Sequence, residues 1–203
     1  MNAPILVVED VPDTLQLIEV TLKFKGYRVV TARNGREALA ALAAERPALI
    51  LTDILMPGMD GFSLVNRLRL QPETRDIPVV FLSATYVAPE DKDFANAIGA
   101  SRFLEKPINL EEMFKTIADL LKEKTQPRPP MNQKAFYEGY RKRLEEKLSQ
   151  KVTQIARTEG MLEALRGEEK KSFSASLQQF HEERDEIQLL LEQIRKLETG
   201  DLK

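Results

Sequence analysis

At 203 residues, with 42% hydrophobic and 31% charged positions, the chain has the composition of a soluble protein with one core-forming domain and something smaller beside it. Its formal net charge of −2 and its lack of cysteine exclude a whole-chain nucleic-acid footprint, disulfides, thiolate chemistry and cysteine-ligated metals. No apolar run approaches the roughly 20 residues of a membrane span, and Met1-Asn2-Ala3-Pro4 has neither the basic nor the apolar region of a signal peptide, so the cytoplasm is the expected location.

In chain order, the first half predicts five β-α units. Ile5-Leu6-Val7-Val8 is a continuous aliphatic run, the mark of a strand buried on both faces. Similar runs follow at Tyr27–Thr31, Ala48–Leu51, Val79–Leu82 and Ser101–Leu104. Helical patterns lie between them. Leu15, Ile18 and Leu22 share one face of the first helix, and Met113, Ile117 and Leu120 share one face of the last. Asn34 with Glu37, and Asn109 with Glu112, have capping-box spacing. This alternation predicts an α/β fold, a parallel sheet covered by helices on both faces. Such sheets bind ligands at the carboxyl ends of their strands, so functional residues are sought there.

Those strand ends carry Glu9-Asp10, Thr52-Asp53, Ser83-Ala84 and Lys106-Pro107. Three carboxylates on one rim repel and raise each other's pKa unless a cation joins them. A hard divalent ion with oxygen ligands suits the set; Mg²⁺ is bound by one or two carboxylates plus a phosphate. Zinc suits it poorly, with no His or Cys nearby. A carboxylate can also be the nucleophile that forms an aspartyl phosphate, and phosphoryl transfer asks mainly for positioning and charge neutralisation, which Lys106 and the Ser83 hydroxyl could supply. Taken singly these residues read as a capping turn, a turn serine and an ordinary Lys-Pro step. Their succession at four strand ends carries the chemistry.

Four segments in order carry a family resemblance: Ile5–Asp10, Asp53-Ile54-Leu55-Met56-Pro57-Gly58-Met59-Asp60-Gly61, Phe81–Ala84, and Phe103–Pro107. From residue 3 to about 124 the chain resembles a two-component response regulator receiver domain. The resemblance implies a flavodoxin-like doubly wound five-stranded sheet in the order 2-1-3-4-5. It implies Asp53 as phosphoacceptor, Mg²⁺ on Asp10, Asp53 and the Leu55 carbonyl, and Glu9 holding the ion through water. Ser83 and Lys106 would engage the phosphoryl group, and Phe103 would be the rotamer switch that follows Ser83. A sensor histidine kinase or a phosphotransfer protein would be the donor. Leu55 stands where many members carry a polar side chain that positions attacking water, so a long-lived phosphorylated form is expected. A receiver that keeps the fold without accepting phosphate is the competing reading, and Val7, Leu51 and Val80 read as packing alone.

Composition shifts near residue 125. Residues 1–125 form the expected receiver, 126–131 a Pro-rich linker (Gln126-Pro127-Arg128-Pro129-Pro130) and 132–203 a helical module. Tyr140, Leu144, Leu148, Val152, Ile155, Leu162 and Leu165 recur at helical spacing, with Glu159 among them. Phe173, Leu177, Phe180, Ile187, Leu191 and Ile194 form a second seam that Arg184 interrupts. The polar, Gly-containing stretch Arg166–Ser172 is expected to turn between helices over 132–166 and 172–198, making an antiparallel hairpin. Two such helices leave apolar stripes to cover, which predicts a homodimeric bundle or coiled coil. One uninterrupted helix in a parallel dimer, disfavoured by Gly160 and Gly167, and docking on an unknown downstream protein are the alternatives. DNA binding is not expected: basic and acidic residues nearly balance beyond residue 126, and Arg141-Lys142-Arg143 is followed at once by Glu145-Glu146. Phe180-His181-Glu182-Glu183-Arg184 faintly resembles a histidine kinase phosphoacceptor helix, which leaves open a relay phosphotransfer protein using His181. A third reading is a receiver-based scaffold. Apart from Mg²⁺-dependent turnover of its own aspartyl phosphate, no enzyme activity is expected.

Overall fold

The computed structural model describes residues 3–84, 86–123, 130–162 and 166–199. They divide into two compact units, Met1–Asn132 and Gln133–Lys203.

The first unit alternates strand and helix: β1 (Ile5–Val8), α1 (Pro12–Phe24), β2 (Val29–Ala32), α2 (Gly35–Ala44), β3 (Leu49–Asp53), α3 (Gly61–Leu70), β4 (Val79–Ser83), α4 (Pro89–Ala97), β5 (Arg102–Glu105) and α5 (Leu110–Lys122). The sheet has five strands in the order β2-β1-β3-β4-β5, all pairs parallel, with Leu6 opposite both Val30 and Ile50. This is the predicted order. It puts the switch in strand order beside β1 and β3, whose carboxyl ends carry Glu9, Asp10 and Asp53. β1, β3 and β4 are buried along their whole length, as continuous aliphatic runs require.

Alternate residues of these strands build the core on one face. Ile5, Val7, Leu49, Leu51, Val80 and Leu82 pack with Leu15, Ile18 and Leu22 of α1 and Met113, Ile117 and Leu120 of α5. Each such side chain withdrawn from water contributes about 1.5–3 kcal/mol. Phe81 of β4 instead meets Phe62 of α3, with ring centroids 5.2 Å apart. The helices begin where their caps dictate. The Asn34 side chain accepts from the amides of Arg36 and Glu37, and that of Asn109 from those of Glu111 and Glu112. Glu37 reaches one residue further back than a capping box requires, accepting from the Arg33 amide at 2.9 Å.

Four strands differ from expectation at their ends. β2 starts at Val29 rather than Tyr27 and runs to Ala32; β3 starts at Leu49 and runs on to Asp53, β4 runs on to Ser83, and β5 spans Arg102–Glu105 rather than Ser101–Leu104. Pairing with the neighbouring strand persists to these positions, Val8 with Ala32 and Asp53 with Leu82. The phosphate-handling candidates are therefore the last residues of strands, fixed by the ladder.

The second unit packs α6 (Gln133–Leu162) against α7 (Gly167–Thr199). Ion pairs from Glu145 to Arg195 at 3.4 Å and from Lys151 to Glu183 at 2.6 Å show that the helices run antiparallel, as expected. With 30 residues, α6 is about 45 Å long. Two expectations need correction. The stretch from Gly167 to Ser172 is the start of α7 and not a turn. It contains no Pro, and Lys170, Lys171 and Glu169 are good helix formers, the last placed to complement the helix dipole. Val152 is 48% exposed, while Lys147 and Lys151 are buried. Steps of four residues drift around a helix, so three of them carry Val152 about 120° from Tyr140, whereas Lys147 and Lys151 stay within about 20° of it. The lysine stems line that face, and the Lys151 ammonium lies 4.8 Å from the Phe180 ring centroid. Leu165, with the rest of 163–165, and most of the Pro-rich linker lie outside the described residues.

Candidate functional site

The predicted rim residues converge. Lys106, carried past β5, places its ammonium 2.7 Å from Glu9 Oε2 and in a short hydrogen bond with Asp53 Oδ2. The carboxylates of Glu9, Asp10 and Asp53 offer oxygens that all lie within 4.8 Å of one another. Asp53 Oδ1 accepts from the amides of Ile54 at 2.5 Å and Leu55 at 3.3 Å, so the turn after β3 orients the carboxylate. The Ser83 carbonyl accepts from the Lys106 amide at 3.0 Å, tying the ends of β4 and β5 together. The Ser83 hydroxyl accepts from the Tyr86 amide at 3.0 Å.

Glycines shape this rim. A Cβ on Gly61 would sit 2.3 Å from the Asp53 carbonyl oxygen, so α3 starts against the end of β3 only because that position has no side chain. Gly58 has φ +79°, the left-handed conformation that lets the Asp53–Gly61 loop fold back. Asp60 then caps α3, accepting from the Ser63 amide at 3.0 Å and the Ser63 hydroxyl at 2.8 Å.

Electrostatically the site lacks positive charge. Burial first, and then the Asp53 charge, push the Glu9 and Asp10 carboxyls above the ordinary carboxylate range. Burial also raises Asp53, against the pull of Lys106. Burial works against the Lys106 ammonium, but Asp53 and Glu9 outweigh it and raise its pKa. One lysine thus offsets three acids. Glu9 is fully buried, and its Oε1 has no hydrogen-bond partner among the described residues. A buried carboxylate oxygen left without a donor is costly, and a hard cation among these oxygens would satisfy it. The residues present therefore fit a divalent ion such as Mg²⁺.

Two predicted residues stand somewhat apart from this cluster. Leu55 is half-buried in the turn after β3 and touches Asp53 through its amide. Phe103 is half-buried in β5, with the Lys92 ammonium of α4 5.6 Å from its ring centroid and Lys92 paired to Glu105 at 2.6 Å. Sequence reasoning missed Tyr86, which is fully buried beside the Ser83 hydroxyl, and the Lys92–Glu105 bridge over Phe103. An exposed-looking Thr85-Tyr86-Val87 loop gives no hint that its middle ring turns inward. His181 lies in the other unit, its Nε2 3.7 Å from Glu159 Oε1 across the hairpin.

A doubly wound parallel sheet whose carboxyl rim gathers three acids around one lysine places the chain in a class of α/β proteins with a candidate cation site at the strand ends. Comparison with known proteins makes the class specific. The family model described as response regulator receiver domain matches residues 5–118. The chain belongs to the response regulator receiver family, the phosphorelay input module of two-component systems. It is 42% identical over 120 residues to the response regulator PleD of Caulobacter vibrioides, a match that covers 59% of this chain but only 26% of PleD. Protein PilH of Pseudomonas aeruginosa is 35% identical over 59% of this chain and 98% of its own length. Among solved structures, the chemotaxis response regulator CheY4 of Vibrio cholerae matches at 38% identity with TM-score 0.55, over 59% of this chain and 99% of that one. The receiver domain of a sensor histidine kinase from Pseudomonas aeruginosa, solved with magnesium in its active-site cleft, matches at 28% identity and TM-score 0.56, over 61% of this chain and 100% of that one. The family-model match lies in the first unit. Among the described residues, no helix is long and apolar enough to cross a membrane.

Proposed function

We propose that Asp53 is a phosphoacceptor, taking its phosphoryl group from a phosphohistidine of a sensor histidine kinase or phosphotransfer protein. The carboxylate attacks phosphorus, the P–N bond breaks, and the imidazole leaves with its electron pair and takes up a proton. Asp10, Asp53 and the Leu55 carbonyl would hold Mg²⁺, with Glu9 acting through water; when bound, the ion neutralises charge on the phosphoryl oxygens. Lys106 supplies the protein's own positive charge to those oxygens, and the Ser83 hydroxyl donates to one of them. Phe103, beside Lys92, is the side chain whose rotamer follows Ser83. The observation that carries this reading is Lys106 bonded at once to Glu9 and Asp53, with Asp10 in the same cluster.

The hairpin we read as a homodimerisation or partner-binding module that receives the phosphorylation state, and the chain as a signalling protein whose only chemistry is the gain and loss of its own aspartyl phosphate. Two helices alone cover little apolar surface, and Val152, Met161, Phe173 and Leu189 remain exposed. His181 beside Glu159 across the hairpin supports a structural contact over a relay site. Incubation with acetyl phosphate and Mg²⁺ tests the reading: a mass gain of one phosphoryl group, alkali-labile, is expected, and it is lost in Asp53→Asn. An acid-labile, alkali-stable adduct that survives Asp53→Asn would assign the chemistry to His181 instead.

A further inference from the structure

The Ser83 hydroxyl is held by a residue that plays no part in the mechanism above. A serine hydroxyl has one proton and two lone pairs. The Tyr86 amide donates into one lone pair at 3.0 Å, which restricts the direction of the O–H. Ser83 itself is only 1% exposed, and its carbonyl is tied to the Lys106 amide. Its backbone is thus fixed from the β5 side and its hydroxyl from the Tyr86 side.

The Tyr86 amide is placed by its own ring. That ring is fully buried and stands edge-on to Phe62, with centroids 5.3 Å apart and planes at 81°. Phe62 makes the same edge contact with Phe81 of β4 and with Phe94 of α4, both at 5.2 Å. Such pairs add to the burial term. The Tyr86 ring is therefore a peg driven into the layer between α3, β4 and α4. It pins Tyr86 where its amide reaches the Ser83 hydroxyl.

We propose that Tyr86 is a positioning residue for phosphoryl recognition: its buried ring holds the loop after β4 so that its amide aims the Ser83 hydroxyl at the group carried by Asp53. This rests on the phosphoacceptor reading of Asp53. Tyr86 touches neither phosphoryl group nor cation and acts only through Ser83.

The test is beryllofluoride binding to the full chain in the presence of Mg²⁺, with the affinity for Mg²⁺ alone measured in parallel. Tyr86→Leu keeps apolar bulk but loses the edge contacts, and it should weaken beryllofluoride about threefold to tenfold, the range of one hydrogen bond. Ser83→Ala should weaken it at least as much, and Tyr86→Leu should add nothing in the Ser83→Ala background. Tyr86→Phe, which keeps the peg, should stay close to wild type. Mg²⁺ affinity should be unchanged throughout, because the cation's candidate ligands lie on the β1 and β3 side of the rim. Multiplying effects of the two substitutions, a Tyr86→Leu protein that binds like wild type, or one that loses Mg²⁺ affinity equally, would overturn the proposal. A wild-type protein that binds Mg²⁺ but not beryllofluoride would remove the phosphoacceptor reading and take the role of Tyr86 with it.

Discussion

The two units of this chain use charge in opposite ways. In the receiver, Glu9, Asp10, Asp53 and Lys106 come from three separate strand ends to one point, and they are largely withdrawn from water. In the hairpin, charged residues meet in pairs spread along two helices: Arg141 with Glu198 at 3.3 Å, Glu145 with Arg195 at 3.4 Å, Lys151 with Glu183 at 2.6 Å. Convergence builds an electrostatic load that a ligand can relieve, so it is a signature of chemistry. Pairing discharges the load locally and sets register, so it is a signature of assembly.

Substitutions should separate the two behaviours. The largest effect is expected at Lys106: Lys106→Ala should slow acetyl-phosphate labelling about a hundredfold, the usual cost of one aimed charge at a transferring group, while circular dichroism stays unchanged. An equal rate would mean that the ammonium only balances the resting carboxylates. In the core below it, Leu51→Ala should cost about 2–5 kcal/mol of receiver stability in chemical denaturation, because Leu51 is fully buried in a packed sheet.

The acidic cluster predicts a smaller, pH-dependent effect. Glu9, Asp10 and Asp53 have raised folded-state pKa values, all from burial first, with the Asp53 charge adding to it at Glu9 and Asp10. A carboxyl raised on folding stabilises the fold fully below its unfolded pKa, and that stability is lost as pH rises through the folded value. Without divalent cations, Asp10→Asn should therefore melt higher than wild type at neutral pH, and the gain should vanish in acid. Added Mg²⁺ should reverse the order at neutral pH by stabilising the wild type alone. A pH-independent difference would argue against ionisation of the buried carboxyl as its cause. In the hairpin, the smallest effect is expected: Arg195→Met keeps the stem and removes the charge of the exposed pair with Glu145, and should change stability by no more than about 1 kcal/mol in chemical denaturation. A large loss there would show that the Glu145–Arg195 pair is more than a register mark.

The difference also explains what could be read from the sequence. β1 and β4 announced themselves through continuous apolar runs, the rim of Glu9, Asp10, Asp53, Ser83 and Lys106 followed from β-α alternation with polar residues at strand ends, and the strand order came from the family resemblance. Strand ends were less legible, because β3 and β4 extend through polar Asp53 and Ser83 by virtue of neighbours in the ladder. Tyr86 was hidden, since its inward turn depends on Phe62, which lies far back in the chain on α3. In the hairpin, apolar spacing of four misplaced Val152, and a helix seam that buries lysine stems has no apolar spelling to read.

Site mapping tests the central claim most directly. Full-length protein is phosphorylated in the presence of Mg²⁺, trapped by borohydride reduction of the acyl phosphate, and sequenced by mass spectrometry. The convergent rim predicts a single reduced residue at position 53. Labelling at another acidic residue, or none while the cluster still binds Mg²⁺, would contradict it.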